Sequence, residues 1–397
     1  MKKIIFSNLD LLFLEKTFMK SNFREEFIYG AVELCSESDN VFVFESMHIN
    51  RIEFALRALI NLKFRGFWVA TRKQVKNYVI THKSINNLFV FLSGKEQDFH
   101  IAVQARALFI VPTWIPSDKE SMNYGIHVDT PAQLFKFIRT LNNQNHWFSK
   151  LEIEPDVMAL SLMDARYGYY AKSKEEKEML LHFQGLLKEE KHRNYYDILL
   201  YHFLAGMTNT TLFDDIELFG MIPSSDGSLN PDMYKFMTQV RYIKGKRFPK
   251  NGMQYDNLLI RHTSKKKAHE AYKLTERVNL KATDEFKTMI LNPDFKDKIQ
   301  KLKQKNKFNV MIFDDYMTHG NTFNAVRNLL KSEGANKIIF VSLGSFDKPF
   351  QKHDYKITGS VYKPGYKADL ITSNELNCEH YIQAKDEVAA LYDIFNS

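Results

Sequence analysis

Cysteine is almost absent: Cys35 and Cys378 are the two in 397 residues, and their separation suits neither a disulfide framework nor a thiolate metal site. That scarcity fits a reducing compartment. No apolar run is long enough to span a bilayer; the longest, around residues 198–207, contains His202. The opening Met1-Lys2-Lys3 and the apolar residues behind it look briefly like a signal peptide. Asn8 and Asp10 break the stretch, however, and no small-residue cleavage site follows. These absences predict a cytoplasmic protein with no membrane partner. Internal repeats, low-complexity linkers and any recognisable nucleic-acid-binding motif are lacking too.

What is present is an ordinary globular composition, 44% hydrophobic, 26% charged and 14% aromatic, with a net charge of +8. A basic balance suits a polyphosphate substrate as well as a nucleic acid. The densest lysine runs are Lys265-Lys266-Lys267 and the alternating Lys301, Lys303, Lys305 and Lys307. The second run reads as a solvated helix end.

The first 150 residues alternate short β-branched or aromatic runs (3–6, 40–44, 66–70, 87–92, 107–111) with helix-length segments, the pattern of a parallel α/β sheet. Asp129-Thr130-Pro131 marks the start of a further helix, a cap residue followed by proline in the first turn. Residues 170–210 read as helical, with a capping-box-like Ser173-Lys174-Glu175-Glu176. The α/β alternation resumes at Asp215. The expected architecture is therefore α/β, two Rossmann-like domains with parallel sheets: an α/β domain over 1–150, a helical connector or hood over 151–214, and a second domain over 215–397.

The segment that carries chemistry runs from residue 308 to 326. An apolar strand leads into Asp314-Asp315, then Thr318-His319-Gly320-Asn321-Thr322, then a helix. A loop that ends at a helix N-terminus directs several N–H groups and the positive end of the dipole at one spot. Gly320 permits close backbone approach or φ > 0, and Thr318 and Thr322 add hydroxyl donors. The arrangement is a cradle for a phosphate monoester. Asp314 and Asp315, at the carboxyl end of the strand, repel phosphate but accept hydrogen bonds from sugar hydroxyls.

This segment resembles the phosphoribosyl pyrophosphate signature of the type I phosphoribosyltransferases. The resemblance implies that Asp314 and Asp315 hold the ribose 2- and 3-hydroxyls and face Mg²⁺, and that Thr318, His319, Gly320, Asn321 and Thr322 hold the 5-phosphate. Upstream, Arg261 and the basic stretch Lys265-Lys266-Lys267, followed by Leu274, Arg277 and Asn279, resemble the ComF-like branch of that superfamily. There a basic loop covers the site and offers counter-charge to departing pyrophosphate. Lys266 and Arg277 are the catalytic candidates in it, alongside Asp314 and Asp315; a solvated turn accounts equally for the three lysines. Ser224, Ser225 and Gly227, in a turn after a strand, stand where the family binds pyrophosphate through backbone N–H groups. A plain β-turn explains them as well. Phe346 follows the next strand and suits either core packing or stacking on an acceptor ring.

At the N-terminus an apolar strand ends in Asn8-Leu9-Asp10, which resembles the opening motif of haloacid-dehalogenase-like hydrolases with asparagine at the nucleophile position. Thr71 and Lys83 stand where that family keeps a phosphate-holding hydroxyl and a lysine. The metal-binding acids are replaced by Ser93-Gly94-Lys95-Glu96, with Asp98 further on. An amide cannot form an aspartyl-phosphate, so the resemblance implies a degenerate domain without phosphatase activity that senses a ligand or binds a protein partner.

The expected function is transfer of a phosphoribosyl group from phosphoribosyl pyrophosphate with Mg²⁺, or the reverse reaction on a nucleotide. The alternative is a catalytically weak sensor of those ligands, or a partner-controlled effector of bacterial antiviral defence that modifies nucleotides. An oligomer is compatible with either.

Overall fold

The computed structural model describes residues 2–13, 22–37, 39–61, 66–166, 173–189, 191–192, 195–244, 256–265 and 282–396. Its first sheet is built from β1 (Ile4–Asn8), β2 (Val41–Ser46), β3 (Phe67–Thr71), β4 (Phe89–Leu92), β5 (Leu108–Pro112) and β6 (Ile126–Val128). The order is β3-β2-β1-β4-β5-β6 and every pairing is parallel, a Rossmann-like sheet. Helices on both faces bury the central strands, and β4 and β5 are correspondingly unbroken apolar runs with every residue buried. The order reverses between β1 and β4, so their carboxyl ends open a crevice.

The second sheet starts earlier than the change of sequence pattern suggests. β7 (Ser149–Glu154) and β8 (Val157–Asp164) belong to it, with β9 (Leu218–Met221), β12 (Asn309–Met317), β13 (Lys337–Ser345) and β16 (Glu379–His380), in the order β16-β7-β8-β13-β12-β9. The expectation of purely parallel sheets fails here. β8, β13, β12 and β9 run parallel, but β7 is reversed and pairs antiparallel with both β8 and β16, because it reaches β8 through a tight turn too short for a crossover.

Two antiparallel pairs stand outside this sheet. β10 (Leu259–Arg261) pairs with β11 (Met289–Leu291), and β14 (Phe350–Thr358) with β15 (Lys367–Leu376). Helix Asn321–Ser332 carries β14 through two asparagines. The Tyr355 amide donates to Asn328 Oδ1 at 2.8 Å and the His353 amide to Asn324 Oδ1 at 3.2 Å.

Helix Tyr195–Met207 joins the halves. It is buried at every position but Asp197, as a helix enclosed on all sides requires. It shares one continuous core with residues of both sheets, among them Ile5 and Met311. Lys3 reinforces the junction: its buried ammonium donates to Thr208 O at 3.0 Å and Asn209 Oδ1 at 2.5 Å, just past the end of that helix. The expected caps form, with the Gln133 amide donating to Thr130 Oγ1 and the Glu176 amide to Ser173 Oγ. No helix among the described residues is long and apolar enough to cross a membrane.

Candidate functional site

The carboxyl edge of the second sheet assembles most of the residues expected to hold phosphate and ribose. β12 runs four residues beyond the end of its apolar stretch. Asp314 pairs with Ser342, Tyr316 with Gly344 and Met317 with Ser345, so the acid pair lies within the strand, not after it. Backbone pairing with β13 holds this extension whatever its side chains. The Asp315 amide donates to Asp314 Oδ1 at 2.9 Å, and the Tyr316 amide to Asp315 Oδ1 at 2.7 Å. Asp314 is half-buried and Asp315 exposed. Burial first, then the neighbouring Asp315 charge, push the Asp314 carboxyl well above its usual range, and burial also raises Asp315. Two carboxylates in mutual repulsion are a fitting seat for a divalent cation, which would relieve both.

Gly320 caps helix Asn321–Ser332 in the left-handed region, with φ +72°. A Cβ there would overlap the Phe350 ring, so both conformation and space demand glycine. Thr318 and His319 are exposed, while Asn321 and Thr322 open the helix half-buried. His319 Nδ1 lies 3.2 Å from Pro349 O, and the Gln351 amide donates to His319 O at 2.9 Å, which anchors the loop to the start of β14. Phe346 stacks on Tyr316, ring centroids 5.0 Å apart.

The turn after β9 emerges beside the acid pair, because Met221 pairs with Phe313 and the Ile222 amide donates to Phe313 O. Two of its amides are spent inside it. The Ser224 amide donates to Ser228 O at 2.8 Å and the Gly227 amide to Ser224 O at 2.9 Å, both inside the turn. What remains outward at Ser224 is an exposed side chain; Ser225 and Gly227 are half-buried. Gly227 takes φ +91°, and a Cβ would sit 2.9 Å from Arg261 O.

β10 runs against this turn. The Lys265 amide donates to Ser225 O at 2.7 Å, and Arg261 donates to Thr288 Oγ1 at 2.6 Å. Arg261 and Lys265 converge on Glu285, at 2.9 Å and 2.5 Å, and the Thr322 hydroxyl donates to the same carboxylate at 2.9 Å. Sequence reasoning did not single out Arg261 or Glu285 as site residues. An arginine ending an apolar strand beside a lysine run was the available signal for the first; Glu285 had none. Lys266 and Arg277 lie outside the described residues.

The crevice of the first sheet is filled by the chain itself. Asn8 Nδ2 donates to Glu45 Oε1 at 3.0 Å and Asp98 Oδ2 at 3.2 Å, and the Ser93 hydroxyl donates to Asp98 at 2.6 Å. Arg72 Nε lies 2.6 Å from Asp98 and 3.1 Å from Glu45. A guanidinium between two buried carboxylates takes the place a cation would need, so these residues do not fit a metal. Burial, then the Asp98 charge, push the Glu45 carboxyl up to about 8. Asp10 turns instead to Arg51, at 2.9 Å, and Lys95, at 3.8 Å. Thr71 caps helix Arg72–Thr81 in a capping box with Gln74. Lys83 is exposed. Glu45, Arg72 and Asp98 were legible only as charges following apolar strands.

Elsewhere Glu96, His100 and Glu120 bring three ligand atoms within 4.8 Å of one another at the surface. Compared with protein-family models, with curated proteins and with solved structures, the chain matches none.

Proposed function

We propose that this protein is a phosphoribosyltransferase acting on phosphoribosyl pyrophosphate with Mg²⁺, or on a nucleotide in the reverse direction. The observation that carries the reading is the order along one strand and its helix: Asp314 and Asp315, then a loop closed by left-handed Gly320 at a helix N-terminus. The carboxylates accept the ribose hydroxyls, and the loop 318–322 cradles the 5-phosphate with Thr318, Asn321 and Thr322. Ser224 and Ser225 face the pyrophosphate end with hydroxyls. Lys265 and Arg261, with Lys266 and Arg277 from the following segment, supply counter-charge as pyrophosphate leaves. Asp314 and Asp315 would hold Mg²⁺, whose charge would offset that of the pyrophosphate. Ribose C1 exchanges its bond to pyrophosphate oxygen for one to the acceptor, which gives up its proton.

The test is calorimetric titration of phosphoribosyl pyrophosphate with Mg²⁺ into the full chain and into the Asp314→Asn/Asp315→Asn double variant. Micromolar binding lost in the variant supports the reading; equal binding and turnover in both sink these roles.

A second reading is a sensor of the same ligands under the control of a protein partner, including a defence effector. The self-filled crevice of Asn8, Glu45, Arg72 and Asp98 favours it, since it leaves the first domain no chemistry of its own. Binding without product formation over a panel of nucleobases would distinguish it.

A further inference from the structure

Glu285 is 2% exposed, and three chain segments converge on its carboxylate: Arg261 at the end of β10 forms an ion pair with Oε2, while Lys265 in the loop after it and the Thr322 hydroxyl on the first turn of the cradle helix donate to Oε1. Carboxylate and phosphate oxygens ask for the same donors. Thr322 has one hydroxyl proton, and while Glu285 holds it a phosphate oxygen cannot. Arg261 and Lys265 together bring two positive charges, of which Glu285 cancels one.

We propose that Glu285 is an internal anion plug: its carboxylate holds the place between Lys265, Arg261 and Thr322 that a substrate phosphoryl group takes, and it must leave before substrate is gripped. The proposal rests on the phosphoribosyltransferase reading of the same edge. The residue is carried on the short helix Ala282–Phe286, which packs on helix Asn321–Ser332 and leads into β11, so displacing it shifts one turn of helix and leaves the sheet intact. Its withdrawal frees Lys265, Arg261 and the Thr322 hydroxyl for phosphate, so plug and substrate compete for one set of partners.

The opposite role would be a positioning residue that aims Lys265 at the substrate, and the two predict opposite signs. Inorganic phosphate and Mg²⁺-pyrophosphate are titrated calorimetrically into the full chain and into Glu285→Gln, which keeps shape and loses charge. The plug requires binding about tenfold tighter, or more, in the variant. Unchanged or weaker binding overturns it. If the Asp314→Asn/Asp315→Asn protein has at the same time lost affinity for phosphoribosyl pyrophosphate, the transferase reading stands without the plug; if neither anion binds either protein, both fall. Hydrogen exchange on the unaltered protein guards against a folding defect in the variant. Phosphate should speed exchange over residues 282–286, and protection there would overturn the plug.

Discussion

Arg72 Nε lies 2.6 Å from Asp98 Oδ1, and the two side chains are 15% and 3% exposed, so the carboxyl edge of the first sheet is closed by an ion pair of the chain's own making. Glu45 is the second acid on the same guanidinium, and Asn8 spans both acids with its amide. The asparagine at the would-be nucleophile position thus serves the fold, donating where an aspartate would place a further acid against Glu45 and Asp98.

Removing the guanidinium should be costly. Arg72→Met leaves Asp98 and Glu45 buried without their cation, and breaking a buried pair from one side costs about 3–5 kcal/mol. Urea unfolding of the variant should show a loss of that order, and Arg72→Met/Asp98→Leu should recover a good part of it. A loss near zero in the single variant would mean that the cluster is solvated.

The Glu45 carboxyl sits at about 8 in the folded protein, against an ordinary value of 4.5. Below 4.5 both folded and unfolded states hold the proton. Between about 4.5 and about 8 the unfolded state loses it and the folded state keeps it, so this group makes stability fall as pH rises through that window. Glu45→Gln is neutral throughout and keeps an acceptor for Asn8. Its melting temperature should fall less than the wild type's between pH 5 and pH 8; parallel profiles would exclude Glu45 as the titrating group.

The contrast between the two halves of the proposed phosphate site shows what a sequence can carry. Asp314 to Thr322 is nine consecutive residues, and strand, acids, loop and helix start are all local, so their order could be read directly. Glu285 meets Thr322 from 37 positions away and Lys265 from 20, contacts that only the packing of β10 and β11 creates. The end of β12 was misjudged for a related reason. The apolar run stops at Phe313, but the ladder to β13 is made by backbone groups and continues to Met317. The C-terminal helix Ile382–Asn396 carries Ala384, Val388, Leu391 and Ile394 at helical spacing, whereas the β14–β15 ribbon gave no sign. β15 is exposed along almost its whole length, so the period-2 pattern that betrays a half-buried strand is missing.

Neutralising the acid pair should stabilise the protein while weakening it as a binder. Asp314 and Asp315 both have raised carboxyls, so each favours the unfolded state as pH climbs above 3.8. Asn at both positions keeps the Oδ1 acceptors for the Asp315 and Tyr316 amides and drops the repulsion. Calorimetry should find a higher melting temperature for the double variant at pH 7.5, a smaller difference at pH 4, and lost affinity for Mg²⁺ with phosphoribosyl pyrophosphate. A lower melting temperature at pH 7.5 would show that the acids serve the fold and not a ligand.

Gly320→Ala tests the cradle by its backbone. The residue sits at φ +72°, which an alanine adopts at a cost of about 1–3 kcal/mol, and the new methyl would overlap the Phe350 ring. Either the ring or the loop must move. The ring belongs to a buried cluster with Phe323 and Phe340, so the loop is the softer partner and its amides should shift. Adding Phe350→Leu relieves the clash but not the dihedral. The single variant should therefore lose both stability and inorganic phosphate affinity, and the double variant should regain most of the stability with only part of the affinity. If phosphate binds Gly320→Ala as tightly as the parent, the loop 318–322 is not where the anion goes.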